Sequence, residues 1–144
     1  MKIAFIGGGN MATAMLGGLL QQGYRGDDIG VVEVMADART RLQEQFKVRV
    51  FAAPDAEVLA APVLVFAVKP QQLAEIAKSV ANFISGNLVL SIAAGIRSTD
   101  LSRWLNGHDN IVRVMPNTPS LVQSGIAGLY AMPSVSSEDR GRAE

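Results

Sequence analysis

Three small residues near the start of the chain, Gly7, Gly9 and Ala12, stand at the spacing G-x-G-x-x-G/A within "IGGGNMATAM" (6–15). The chemistry open to such a run is anion binding by backbone. The first glycine permits a tight turn out of a strand, and the second lets the backbone approach a pyrophosphate with no Cβ in the way. The third small residue allows a helix to pack closely on the strand. The helix that follows offers unpaired N–H groups and a partial positive charge at its start. With 14 glycines in the chain, chance matches come easily. Context carries the reading: the apolar run "KIAFIG" (2–7) precedes the loop and a helical pattern follows it. A bare tight turn is the plainer alternative.

Other polar residues fall at the ends of apolar runs. Glu33 lies about 20 residues beyond the loop, where an acidic group would bond the adenosine ribose 2′-OH and favour NAD. Arg39 and Arg41 follow and could face a 2′-phosphate, favouring NADP, or be solvated helix charges. Both cofactors stay open on these residues. In "AVKP" (67–70), Lys69 could bring an ammonium to a ligand crevice, and Pro70 suits the first position of a helix. A surface lysine before a helix is the bland reading. "SIAAGI" (91–96) is small enough to admit a flat ring, or simply to pack tightly. In "MPNTP" (115–119), two prolines fix the backbone around Asn117 and Thr118, which could present an amide and a hydroxyl; a rigid turn is the alternative. His108, the single histidine, sits in a polar turn and reads as exposed, and Trp104 reads as packing. No paired carboxylates, Ser-His-Asp set or metal-ligand spacing makes a complete acid–base apparatus.

The elements that would position these residues alternate. Apolar runs at 2–7, 29–34, 48–51, 63–68, 87–94 and 111–115 predict strands, and 125–132 a last one. Helical spacing marks 10–24, with Gly23 as a C-cap, and 36–46, with Leu42 and Phe46 four apart. It also marks 55–61, 71–84 and 98–105; of these, 71–84 would place Leu73, Ile76, Ala77, Val80 and Phe83/Ile84 along one face. Alternation of this kind predicts an α/β, Rossmann-type doubly wound domain: a mainly parallel sheet with helices on both faces. Residues 1–133 are expected to form the dinucleotide-binding domain. Ser136 and Asp139 have capping-box spacing, so 134–144 reads as the start of a helix leading into a further region, with a frayed tail as the alternative.

Bulk properties exclude several classes. Nearly half the residues are apolar (49%), which argues for a packed core, and the 13 basic and 13 acidic residues cancel. No basic excess marks a nucleic-acid partner, and no apolar run nears the roughly 18 residues of a membrane span. The N-terminal apolar run is too short for a secretory signal, and cysteine is absent, which fits a reducing compartment. A cytoplasmic protein is the expectation.

Taken together, "FIGGGNMATAMLGGL", "FAVKP", "LSIAAGI" and "RVMPNTPSLV" resemble pyrroline-5-carboxylate reductase, in the same order and over residues 1 to about 133. The resemblance implies an N-terminal Rossmann domain and a C-terminal helical domain that builds a homodimer or higher homo-oligomer. It implies reduction of L-1-pyrroline-5-carboxylate to L-proline, the last step of proline biosynthesis, with NADP(H) or NAD(H). It implies that Ile6, Gly7, Gly8, Gly9, Asn10 and Met11 bind the cofactor pyrophosphate, and that Ala67, Val68, Lys69 and Pro70 line the path from adenosine to nicotinamide. It further implies that Ile92, Ala93 and Ala94 stand near the nicotinamide end, with Asn117 and Thr118 by the reaction site. Glu33 puts NADP preference in doubt. The substrate-holding block of that family has no counterpart here, so this chain is expected to bind nucleotide with little or no turnover. Two other readings remain: a non-catalytic NAD(P)-binding regulatory or redox-sensing module, and a different reductase with the same type of domain, acting on a β-hydroxy acid or on F420.

Overall fold

The computed structural model describes residues 1–116 and 127–144. The most apolar runs form the central strands. β1 (Ile3–Ile6), β4 (Val63–Phe66) and β5 (Leu88–Ser91) are buried at every position. Strands buried on both faces need helices on both sides, which is why the sheet is parallel with helical crossovers. β2 (Ile29–Val32), β3 (Arg49–Phe51), β6 (Ile111–Pro116) and β7 (Ala127–Ala131) complete a seven-stranded sheet of order β3-β2-β1-β4-β5-β6-β7. β1 to β6 run parallel, and β7 returns antiparallel to β6. The chain winds outward from β1 to β3, then restarts with β4 on the other side of β1. The winding direction therefore reverses between β1 and β4.

The two sheet faces carry separate cores. Ala4, Ile6, Leu64, Phe66 and Val89 face α3 (Ala56–Leu59), α4 (Pro70–Val80) and α5 (Ser98–Trp104), where Val58, Leu73, Ala77 and Leu101 meet them. Ile3, Phe5, Val31, Val65 and Leu90 face α1 (Asn10–Gln21) and α2 (Ala36–Phe46), where Leu16 and Leu42 are buried. Each large side chain buried this way contributes about 1.5–3 kcal/mol.

Local chemistry ends the helices where the sequence suggests. Gly23 has φ +94°, and the N–H groups of Gly23 and Tyr24 donate to Leu20 O and Leu19 O, a Schellman closure of α1. Asp55 caps α3 by accepting from Val58 N at 2.9 Å. The 71–84 helix is shorter than its periodicity predicts. α4 stops at Val80, and a 3₁₀ turn over Ala81–Phe83 follows. In that tighter turn residues three apart align, so Ala81 and Ile84 go inward and Phe83 is left 57% exposed.

Residues 134–144 are docked rather than frayed. Val135 is buried, and Ser136 caps α6 (Ser137–Ala143) by accepting from Asp139 N. Asn110 Nδ2 donates to Asp139 Oδ2 at 2.8 Å, and Ala143 packs on the α1/α2 side of the sheet. A short helix with little apolar stripe is held by its cap and by this polar link.

The amino end of the sheet is tied by Asn87. Its amide donates to Leu59 O (3.0 Å) and Ala61 O (2.8 Å), and its Oδ1 accepts from Ser85 N. His108, half-buried rather than exposed, bonds Asn87 O through Nε2 at 2.9 Å. Asn87→Ala strands two buried backbone carbonyls, Leu59 O and Ala61 O. It is expected to lower unfolding free energy by about 3 kcal/mol, read by denaturant titration.

Candidate nucleotide site

A cavity of about 430 Å³ opens at the carboxyl ends of β1, β2 and β4, beside the winding reversal. Open α/β sheets bind ligands at such a point, because adjacent crossovers leave to opposite faces and part the loops. Ile6, Gly7, Gly8 and Gly9 form one wall, Glu33 and Val34 the second, and Ala67, Val68 and Lys69 the third.

The glycines have distinct physical reasons. Gly7 has φ +107°, and a Cβ there would stand 2.8 Å from Ala67 O. Its N–H donates to Val32 O at 2.9 Å while Ala67 N donates to Ile6 O at 2.8 Å, so the turn is stitched to both neighbouring strands. A Cβ at Gly8 would meet Leu42 Cδ1 at 2.7 Å and Glu33 Oε2 at 3.1 Å. That position is closed by packing, a role that the motif spacing does not reveal. A Cβ at Gly9 would meet nothing within 4 Å, so its smallness serves no internal contact and leaves the backbone open to a ligand. Gly9 is also the N-cap of α1, which has no side-chain cap and no acidic residue in its first turn. The first N–H groups of a helix lack intrahelical acceptors, and here the helix starts from Gly9, on the cavity wall. Ala12 is buried, as close helix–strand packing requires.

Glu33 is held at both oxygens. Oε2 accepts from Gly8 N at 3.2 Å and Oε1 from Met35 N at 2.9 Å. Arg39 is not a solvated helix charge. Its Nη1 donates to Glu33 O (2.8 Å) and Val34 O (2.9 Å), drawing the guanidinium against the β2–α2 loop. Arg41 is exposed on α2, and neither arginine lines the cavity.

Lys69 is exposed on the rim as the N-cap of α4, with Pro70 at the helix start. Asn10 and Met11 open α1 without lining the cavity. Ile92, Ala93 and Ala94 follow β5, one strand beyond β4. Ile92 N donates to Phe66 O, Ala93 is buried and Ala94 is exposed, and all stand outside the cavity wall. Asn117 and Thr118 lie outside the described residues.

Two walls escape the motif reading. Ala52, Ala53 and Pro54 close the cavity after β3, and Gln72, Glu75, Ile76 and Ser79 close it along α4. The signal for the first is a small-residue strand end like the one after β5. For the second it is a helical stripe beside the buried Leu73–Ala77–Val80 stripe.

The residues fit a dinucleotide: an uncapped helix start for phosphates, an open glycine for close approach and a carboxylate fixed on the next wall. This is the arrangement of a Rossmann-type NAD(P)-binding domain. The chain belongs to the family described as NADP oxidoreductase, coenzyme F420-dependent, whose model matches residues 2–95. That match covers the frame and the first strand-end loops and stops short of the segment beginning at Met115. The chain is 45% identical over 142 residues to a pyrroline-5-carboxylate reductase of Pasteurella multocida, covering 95% of this chain and 51% of the relative. It is 39% identical over 136 residues to that of Pseudomonas aeruginosa, covering 94% of this chain and 50% of the relative. A solved pyrroline-5-carboxylate reductase from Coxiella burnetii superposes with a TM-score of 0.92 at 36% identity, covering 99% of this chain and 54% of that one. The chain spans about half the length of the curated relatives it matches.

The glycines separate fold from binding. Gly7→Ala is expected to cost about 1–3 kcal/mol of stability, read by thermal or denaturant unfolding. Gly9→Asp places a favourable N-cap in open space and should leave unfolding within about 1 kcal/mol. Its carboxylate sits at the helix start, so nucleotide affinity should fall at least about tenfold, read by fluorescence titration.

Proposed function

We propose that this chain is the cofactor-binding part of a pyrroline-5-carboxylate reductase, which reduces L-1-pyrroline-5-carboxylate to L-proline with a nicotinamide dinucleotide. The observation that carries the reading is the open glycine turn on an uncapped helix start at the winding reversal. Similarity to reductases of that name over nearly the whole chain supports it.

When bound, the cofactor supplies a hydride for the carbon of the ring imine. The chain's part is to hold and orient. Ile6 to Met11 and the start of α1 receive the pyrophosphate, and Glu33 faces the adenosine ribose. Ala67 to Pro70 guide the cofactor across β4, and Ile92 to Ala94 accept the nicotinamide end. Asn117 and Thr118 flank the reacting carbon. A cyclic iminium is already electrophilic, so positioning two bound reactants suffices and no histidine or metal is required. In this reading the groups that clamp the substrate lie in the part of the relatives that this chain does not span. The domain boundary falls near residue 133, the complete protein is a homodimer or larger homo-oligomer, and it works in the cytoplasm without nucleic-acid or membrane partners. No described helix is long and apolar enough to cross a membrane.

Titrating the chain with NADH and NADPH, followed by fluorescence, tests the proposal. Saturable binding of at least one is expected, with little oxidation on adding L-1-pyrroline-5-carboxylate. No binding of either at millimolar concentration would remove the cofactor site.

A further inference from the structure

Resting on the cofactor site just proposed, we propose that this chain selects the dinucleotide without a 2′-phosphate, and that Arg39 belongs to the frame of the selecting loop rather than to the ligand. The sequence leaves the two cofactors open because a carboxylate and two arginines follow β2 together. The structure separates them. Glu33 stands on the cavity wall with each carboxylate oxygen taking a backbone N–H, one from the glycine turn and one from its own loop. Its place is therefore set by three chain segments at once: the end of β2, the β1–α1 turn and the start of the β2–α2 connection. Both hydrogens of Arg39 Nη1 go to consecutive carbonyls of that loop, and the residue is half-buried and off the cavity wall.

Among the described residues, the charges that line the cavity are Glu33, Lys69 and Glu75, two anions against one cation. A phosphate monoester carries about −1.5 to −2 near neutral pH. Beside a carboxylate that cannot swing away without releasing two backbone donors, that charge is repelled. A ribose hydroxyl, by contrast, donates to the carboxylate. Discrimination comes from the repulsive arrangement as much as from the attractive one. Of the two arginines that the sequence offers as phosphate ligands, Arg41 is exposed and off the cavity wall, and Arg39 spends its Nη1 on the carbonyls of Glu33 and Val34.

The test compares dissociation constants of NADH and NADPH, by fluorescence titration at low and high salt, for the unsubstituted chain, Glu33→Gln and Arg39→Ala. The unsubstituted chain is expected to bind NADH at least about tenfold tighter, with the preference shrinking as salt screens the repulsion. Glu33→Gln keeps the side-chain shape without the charge and should bring the two within about threefold. Arg39→Ala removes a brace of the selecting loop, so the preference should hold or shrink, with NADPH bound no more weakly than by the unsubstituted chain within about threefold, while circular dichroism reports the fold. NADPH bound as tightly as NADH by the unsubstituted chain overturns the selectivity and leaves the site standing. A selective loss of NADPH in Arg39→Ala overturns it by making Arg39 a phosphate ligand. Failure to bind either nucleotide overturns the site itself, and the selectivity with it. The preference of the unsubstituted chain and its salt dependence need no variant, so they decide the matter even where Glu33→Gln unfolds.

Discussion

The close approach of Gly7 to the Ala67 carbonyl is the constraint on which the rest of the site depends. β1 is an interior strand, bonded in parallel to β2 and β4, and its exit must pass between their ends. The turn can do so only with a positive φ and no Cβ, because the β4 backbone occupies the space a side chain would need. The exit direction then aims α1 across one face, where Ala12 and Leu16 bury. Gly9, the N-cap of that helix, is left on the cavity wall. The cavity is thus a consequence of how a twice-buried strand ends, and the binding chemistry is backbone chemistry because no side chain fits there.

The two ends of the sheet divide stability and function. At the amino end, buried polar side chains close the gaps between loops. Asn87 joins the α3–β4 connection to β5, and Asn110 joins the start of β6 to α6 through Asp139. The Asn87 amide is bonded through both its nitrogen and its oxygen, and Asn110 through its Nδ2. At the carboxyl end the loops hold helix starts, glycines and a rim of charge open to solvent. A parallel sheet makes this split available because every crossover begins at the carboxyl edge. Substitutions there leave the hydrophobic cores on the two faces in place, which lets a frame of this kind change its ligand without changing its fold.

The sequence was most legible where a single physical signal decides. Apolar continuity marks β1, β4 and β5, and Asp55, Pro70 and Ser136 stand at the helix starts to which their chemistry suits them. Gly7 stands in a tight turn and Ala12 in close packing, as their spacing predicts, and the space beside Gly9 is unfilled by the described residues. What escaped depends on contacts between segments far apart in the chain. Gly8 carries no motif role, yet Leu42 and Glu33 close the space beside it. Arg39 resembles any charge on an amphipathic helix until the loop carbonyls come within its reach. The hydrogen bond of His108 depends on the β5 start, and the inward turn of Ile84 with the outward turn of Phe83 depends on α4 tightening after Val80. Periodicity assumes one pitch and cannot register that change. The walls at Ala52–Pro54 and along α4 need the fold itself, since they qualify by facing the glycine turn.

Glu33 shows how frame and recognition are coupled. A carboxylate at the end of β2 would discriminate weakly if it were mobile, because it could withdraw from an incoming phosphate at little cost. Here one of its partners is the N–H of Gly8, which sits in the same turn that Gly7 locks against β4. Gly8 can approach only because it lacks a Cβ, and Leu42 of α2 fills the space that a Cβ would take. The helix that buries Leu42 also carries Arg39, which pins the loop after Glu33 from its other side. Packing of α2 on the sheet therefore positions the carboxylate through two routes, one hydrophobic and one hydrogen-bonded. Removing the charge lifts the repulsion, while the turn and the loop still hold whatever side chain stands at position 33 in the same place.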